Sequence, residues 1–118
     1  MEEYEEWINK AKSDLKAAFN SLNSKDYDWA CFKSQQAIEK ALKGMYIKKF
    51  HELLKIHDLV LLSKKVSAPD NIIVLCSKIN PSYIDTRYPD VFKIYTKEDA
   101  EQTLNYSKEV LKWIEKNL

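Results

Sequence analysis

The residues with the greatest chemical reach lie in one stretch, Tyr83-Ile84-Asp85-Thr86-Arg87-Tyr88-Pro89-Asp90. Arg87 is the single arginine among 19 basic residues. Its guanidinium is a planar fork of donors, suited to a phosphate or a carboxylate. Tyr83 and Tyr88 can stack on a base or bond through their hydroxyls. An alternative role for Arg87 is internal: an ion pair with Asp85, Asp90 or Glu39 would pin the stretch to the rest of the chain. A second polar set, Gln35, Gln36, Glu39, Lys40 and Lys43, lies far upstream. Gln36 and Lys40, Gln35 and Glu39, and Glu39 and Lys43 are each four apart, so on a helix each pair shares a face. The Glu39–Lys43 order is the favourable one, worth about 0.2–0.5 kcal/mol when exposed. The set reads either as a solvated helix face or as a cluster that binds a partner or holds the Arg87 stretch. The candidate ligand-binding residues are therefore Arg87, Tyr83, Tyr88, Asp90, Gln36, Lys40 and Lys43.

Other side chains capable of chemistry are few. The two histidines, His51 and His57, both precede the arginine. His57 stands beside Asp58 at an expected helix start, where a structural role is the simpler reading. Cys31 and Cys76 are far apart and make no metal-ligand spacing. They read as small apolar residues of a reducing compartment, with a lone disulfide not indicated. No metal site, cofactor or catalytic residue is predicted.

The elements that must position these residues follow from composition and period. The chain has 118 residues, enough for one domain with one core. One glycine and three prolines favour long helices over a turn-rich β fold. A net charge of +1 gives no global basic field, so any nucleic-acid contact must come from a local patch. No apolar run approaches the roughly 20 residues that span a bilayer, and the acidic start (Glu2, Glu3, Glu5, Glu6) does not resemble a secretory signal. The expectation is a cytoplasmic protein that does not enter a membrane.

A first helix is predicted from about Glu3 to Leu22, with Tyr4, Trp7, Ile8, Ala11, Leu15, Ala18 and Leu22 as its apolar stripe. Asp14 flanks that stripe, either solvated or reaching a neighbouring helix. Ser24 or Asp26 is expected to cap a second helix, from about Asp26 to Phe50. Ala30, Ser34, Ala37 and Ala41 would let another helix approach it closely. Trp29, Phe32, Tyr46 and Phe50 lie outside its main stripe, and would form a dimer contact or cover loops of the same chain. A third helix should begin near His57 or Asp58, and a fourth should run from Asp70 to Lys78. The fourth is ambiguous with a strand on pattern alone. Residues 80–95 show no helical period, interrupted by Pro81 and Pro89. Thr96 and Asp99 then resemble a capping box opening a last helix that runs to about Asn117. Short links imply antiparallel neighbours, so the predicted architecture is an all-α, up-and-down four- or five-helix bundle.

Taken together, the chain resembles the HEPN domain family (higher eukaryotes and prokaryotes nucleotide-binding domain). The matching residues are Trp7, Ala11, Asp14 and Leu15; residues 26–32; the Gln-Gln-Ala-Ile-Glu-Lys-Ala-Leu-Lys run from Gln35 to Lys43; His57-Asp58-Leu59; the stretch from Tyr83 to Asp90; and Ala100 with Trp113-Ile114. The resemblance spans nearly the whole chain. It implies a helical bundle that forms a homodimer. It also implies association with a small nucleotidyltransferase, as in toxin–antitoxin pairs. Some members are metal-independent endoribonucleases with an arginine followed four to six residues later by a histidine.

Here that histidine is missing: the corresponding positions after Arg87 are Phe92, Lys93 and Ile94. Nothing in the spacing links His57 to Arg87. The expected function is therefore a non-catalytic module that binds a nucleotide, RNA or a partner nucleotidyltransferase. The alternative is an endoribonuclease toxin with an altered site.

Overall fold

The computed structural model describes residues 2–82 and 94–118. Arg87, Tyr83, Tyr88 and Asp90 lie outside the described residues. Among those described there are five helices and no strand: α1 (Glu3–Asn23), α2 (Tyr27–Phe50), α3 (Leu59–Lys65), α4 (Asp70–Ile79) and α5 (Lys97–Lys116). They form the expected all-α bundle.

α1 begins with Glu3, Glu5 and Glu6 in its first turn, where carboxylates complement the helix dipole. It buries Ile8, Ala11, Asp14 and Ala18 along one face. α2 is central and touches all four other helices. Thirteen of its 24 residues are buried, which is why its sequence shows no single clean stripe. Ala30, Cys31, Ala37, Ile38, Ala41, Leu42 and Met45 are fully excluded from solvent. Gly44, the only glycine in the chain, lies where α1 and α2 approach closely. A Cβ added there would stand 3.0 Å from Trp7 Cβ and 3.1 Å from the Tyr4 carbonyl oxygen.

The capping pattern matches the sequence in two places and departs from it in one. Thr96 accepts from Asp99 N at 3.1 Å, and Asp99 accepts from Thr96 N at 2.9 Å, closing the expected box. Asp58 caps α3 by accepting from Val60 N at 2.9 Å and Leu61 N at 3.2 Å. His57 is thus outside the helix. At α2, however, Asp26 holds the cap position without a side-chain capping bond, while Asp28 accepts from Trp29 N at 2.9 Å. A side-chain hydrogen bond with Asp28, then burial, then the charge of Asp28 hold the Asp26 carboxyl above its ordinary value.

α4 resolves as a helix because Ile72, Cys76 and Ile79 recur at helical steps and bury against the core. Pro69 occupies its cap position. Cys31 and Cys76 are both buried and not disulfide-bonded. Burial pushes the Cys76 thiol up to about 11, opposed by a hydrogen bond with Ser63. Trp29 and Phe50, by contrast, stay about half exposed, in tilted ring contacts with Phe32 and Tyr46 at centroid distances of 5.1 Å and 4.6 Å. No described helix is long and apolar enough to cross a membrane.

Candidate functional site

The polar set on α2 does not form a solvated face. Gln35 is fully buried, and Glu39 and Lys43 are each 7% exposed. The reason is the central position of α2: helices pack on most of its circumference, so even its polar side chains fall inside. Once buried, these groups must satisfy one another. Lys43 Nζ donates to Glu39 Oε2 at 3.0 Å. Gln35 Nε2 donates to Glu39 Oε1 at 3.2 Å, and Gln36 Nε2 donates to Gln35 Oε1 at 3.0 Å.

A residue from outside the helix completes this network. His57 Nδ1 lies 2.9 Å from Glu39 Oε2, while 57% of the His57 side chain is exposed. The imidazole is therefore the solvent-facing end of a buried carboxylate–ammonium pair. Its position is set by the next residue. Asp58 caps α3, and Asn80 at the end of α4 clamps the same turn: Asn80 Oδ1 accepts from Leu59 N at 2.9 Å and its Nδ2 donates to Asp58 Oδ1 at 3.2 Å. The clamp also ties down the point from which the chain enters residues 81–93. Arg87 lies seven positions beyond Asn80 in the sequence, and seven residues of fully extended chain span at most about 25 Å.

Lys40 belongs to a different site. It donates to Asp14 Oδ2 across the α1–α2 seam, and Lys33 Nζ lies 3.8 Å from Asp14 Oδ1. Asp14 thus reaches the neighbouring helix. Of the candidates described, Gln36 and Lys43 join the Glu39 network and Lys40 does not. A cleft of about 290 Å³ lies beside Lys40, lined also by Glu6, Trp7 and Lys10. Among the described residues, no group of three or more His, Cys, Asp or Glu side chains is placed to hold a metal ion.

Sequence reasoning missed the Glu39–His57 contact, which joins residues 18 apart across an irregular connection. One signal was present: two polar runs separated by a mostly apolar chain, each with an ionisable side chain near an expected helix face or end.

The helical frame recurs in known proteins. The chain matches the HEPN domain over residues 4–117. It is 29% identical over 126 residues to a protein of Methanocaldococcus jannaschii named putative toxin MJ1304, covering 92% of this chain and 83% of that one. The crystal structure of TT1696 from Thermus thermophilus superposes with a TM-score of 0.92 at 31% identity, covering all of both chains. ST0689, described as an archaeal HEPN homologue, gives 0.83 at 30% identity, covering 99% of this chain and 98% of that one. A HEPN domain protein of Thermotoga maritima shares the fold, with a TM-score of 0.77 at 23% identity over 94% of this chain and 95% of the other. With the family matched from end to end and the helical frame shared, the chain belongs to the HEPN domain family.

Proposed function

We propose that this protein binds RNA or a nucleotide, as a homodimer, where the Glu39 network meets the start of α3. The observation that supports this reading is the placement of His57 on a nine-tenths-buried Glu39–Lys43 pair. Burying such a pair costs desolvation that well-packed apolar residues would avoid. Retaining it fits a site that holds one polar ring in a set orientation. The exposed imidazole offers a polar contact to a phosphate or a ribose. Arg87, seven positions after Asn80 in the sequence, is the residue proposed as the strong phosphate donor. Binding of this kind needs no chemical step.

The test is fluorescence anisotropy with a short single-stranded RNA and with a mononucleotide at low salt. Arg87→Ala is expected to weaken RNA binding about tenfold, equal to 1.4 kcal/mol. His57→Ala should weaken it by a smaller factor. Affinity should fall steeply as salt rises, as phosphate contacts require.

A second reading is the docking of a partner nucleotidyltransferase. Two observations favour it: the relative's name, a putative toxin, and the half-exposed Trp29 and Phe50. No RNA or nucleotide affinity at low salt, beside a nucleotidyltransferase that co-purifies, would replace the first reading with this one.

A further inference from the structure

We propose that the cleft beside Lys40, at the α1–α2 seam, binds a small planar aromatic acid. It is separate from the Glu39 network, and the proposal stands without the RNA reading.

The cleft has a volume of about 290 Å³, at the lower end of the roughly 300–1,000 Å³ of ligand clefts. That space suits a molecule of one or two rings and is small for a nucleotide. Its described lining is Glu6, Trp7, Lys10 and Lys40. Three of these four carry charge, yet most of the lined surface is apolar. The walls are therefore the indole of Trp7 and the methylene stems of the lysines, with the charged heads at the rim. Trp7 is half-buried. Its base is held where Gly44 lets α1 close on α2, since a Cβ added to Gly44 would stand 3.0 Å from Trp7 Cβ. A half-covered indole beside an open cleft is a stacking surface for a second ring.

Charge selects the other end of the ligand. Trp7, Lys10 and Asp14 recur at three- and four-residue steps of α1, so they share a face. Lys40 donates to Asp14 Oδ2 from α2, and Lys33 Nζ lies 3.8 Å from Asp14 Oδ1. The ammonium groups of Lys10, Lys33 and Lys40 thus stand with only two carboxylates, Glu6 and Asp14. One positive charge is left over for an anion. Lys40 is the group placed to take it. It lines the cleft, its side chain is 27% exposed, and Lys33 remains at Asp14 when Lys40 turns away. A carboxylate at the rim then meets Lys40 and Lys10 while the ring lies on Trp7. No bond forms or breaks; Lys40 exchanges one carboxylate partner for another.

The experiment titrates the isotope-labelled full chain with indole-3-acetate at low salt and reads NMR shifts. Saturable shifts should centre on the Trp7 indole N–H and the backbone of Lys10 and Lys40. Indole-3-acetamide has nearly the same shape without the charge. It should bind about threefold more weakly, the size of a partly exposed ion pair. Lys40→Met keeps an unbranched stem and should erase the preference for acid over amide. Trp7→Leu should weaken both ligands about fivefold. Asp14→Asn releases Lys40 and should raise affinity for the acid about twofold, a gain that no loss of folding produces. Circular dichroism melts establish that the variants fold. Shifts that do not saturate, equal affinity for acid and amide, or an acid preference that survives Lys40→Met overturns the proposal. Displacement of the acid by adenosine monophosphate, or shifts centred on Glu39 and His57, also overturns it and leaves the nucleotide reading standing.

Discussion

Two carboxylates on the α1–α2 hairpin show how the same chemistry is put to different uses. Asp14 and Glu39 have nearly equal side-chain exposure, 11% and 9%, and each is met by a lysine from α2. At Asp14 the bond runs between helices. Lys40 and Lys33 reach it from α2, and their own side chains stay about a quarter exposed, so the ammonium groups close the carboxylate off at the surface. At Glu39 the lysine lies inside, on the same helix, and the outermost group is an imidazole carried by the next segment. The first arrangement fastens two helices. The second holds one ring towards solvent at a charge-matched site. What separates them is the direction from which solvent arrives, which is decided by what packs on each side of α2.

This comparison predicts a graded series of effects. Glu39→Ala should be the most damaging, because it leaves Lys43 buried without its counter-charge. We expect a loss of about 3 kcal/mol, read from chemical denaturation. Gly44→Ala comes next. Helix propensity alone would favour alanine by about 1 kcal/mol. The new Cβ would meet Trp7 Cβ at 3.0 Å and the Tyr4 carbonyl at 3.1 Å, and backbone there cannot move aside cheaply. A net loss of about 1–2 kcal/mol and a lower Tm are expected; a gain in Tm would show that the seam holding Asp14 near Lys40 is loose. Asp14→Asn should cost less than about 1 kcal/mol, and high salt should shrink the difference from wild type. If Asp14→Asn proved as costly as Glu39→Ala, the distinction between fastener and site would fail.

The smallest effect is a pH dependence at the turn of the same hairpin. The Asp26 carboxyl is raised above its ordinary 3.8 in the folded chain by hydrogen bonding with Asp28, by burial and by the charge of Asp28. A raised folded value means that the folded state holds the proton more tightly. Its contribution is present below the unfolded value and lost as pH rises through the folded one. Asp26→Asn should therefore remove a small fall in stability with rising pH and leave the acid limb of the stability curve slightly steeper, as measured by urea midpoints across that range.

Much of the frame could be read from local pattern. The stripes of α1 and α5 bury one face each, so period alone locates them. The Thr96–Asp99 box is a contact three residues long, and short contacts are visible in sequence. The Glu39–Lys43 pair was visible as a spacing, but its burial was not. Spacing says which side chains share a face; it cannot say that helices cover that face. Asp26 failed as a side-chain cap for a local reason, since Asp28 took a backbone donor in its place.

The order of the helices, the type of all but α4, the caps of α3 and α5, and membership of a helical family follow from the sequence by itself. Each depends on residues within a few positions of one another. The assembly of Glu39, Lys43 and His57, the separation of Lys40 from Lys43, and the clamp of Asn80 on the α3 start were decided only by tertiary structure. They join segments 18 to 26 residues apart. Such contacts depend on how α2 is rotated against its neighbours, and that rotation is set by the packing of the whole core.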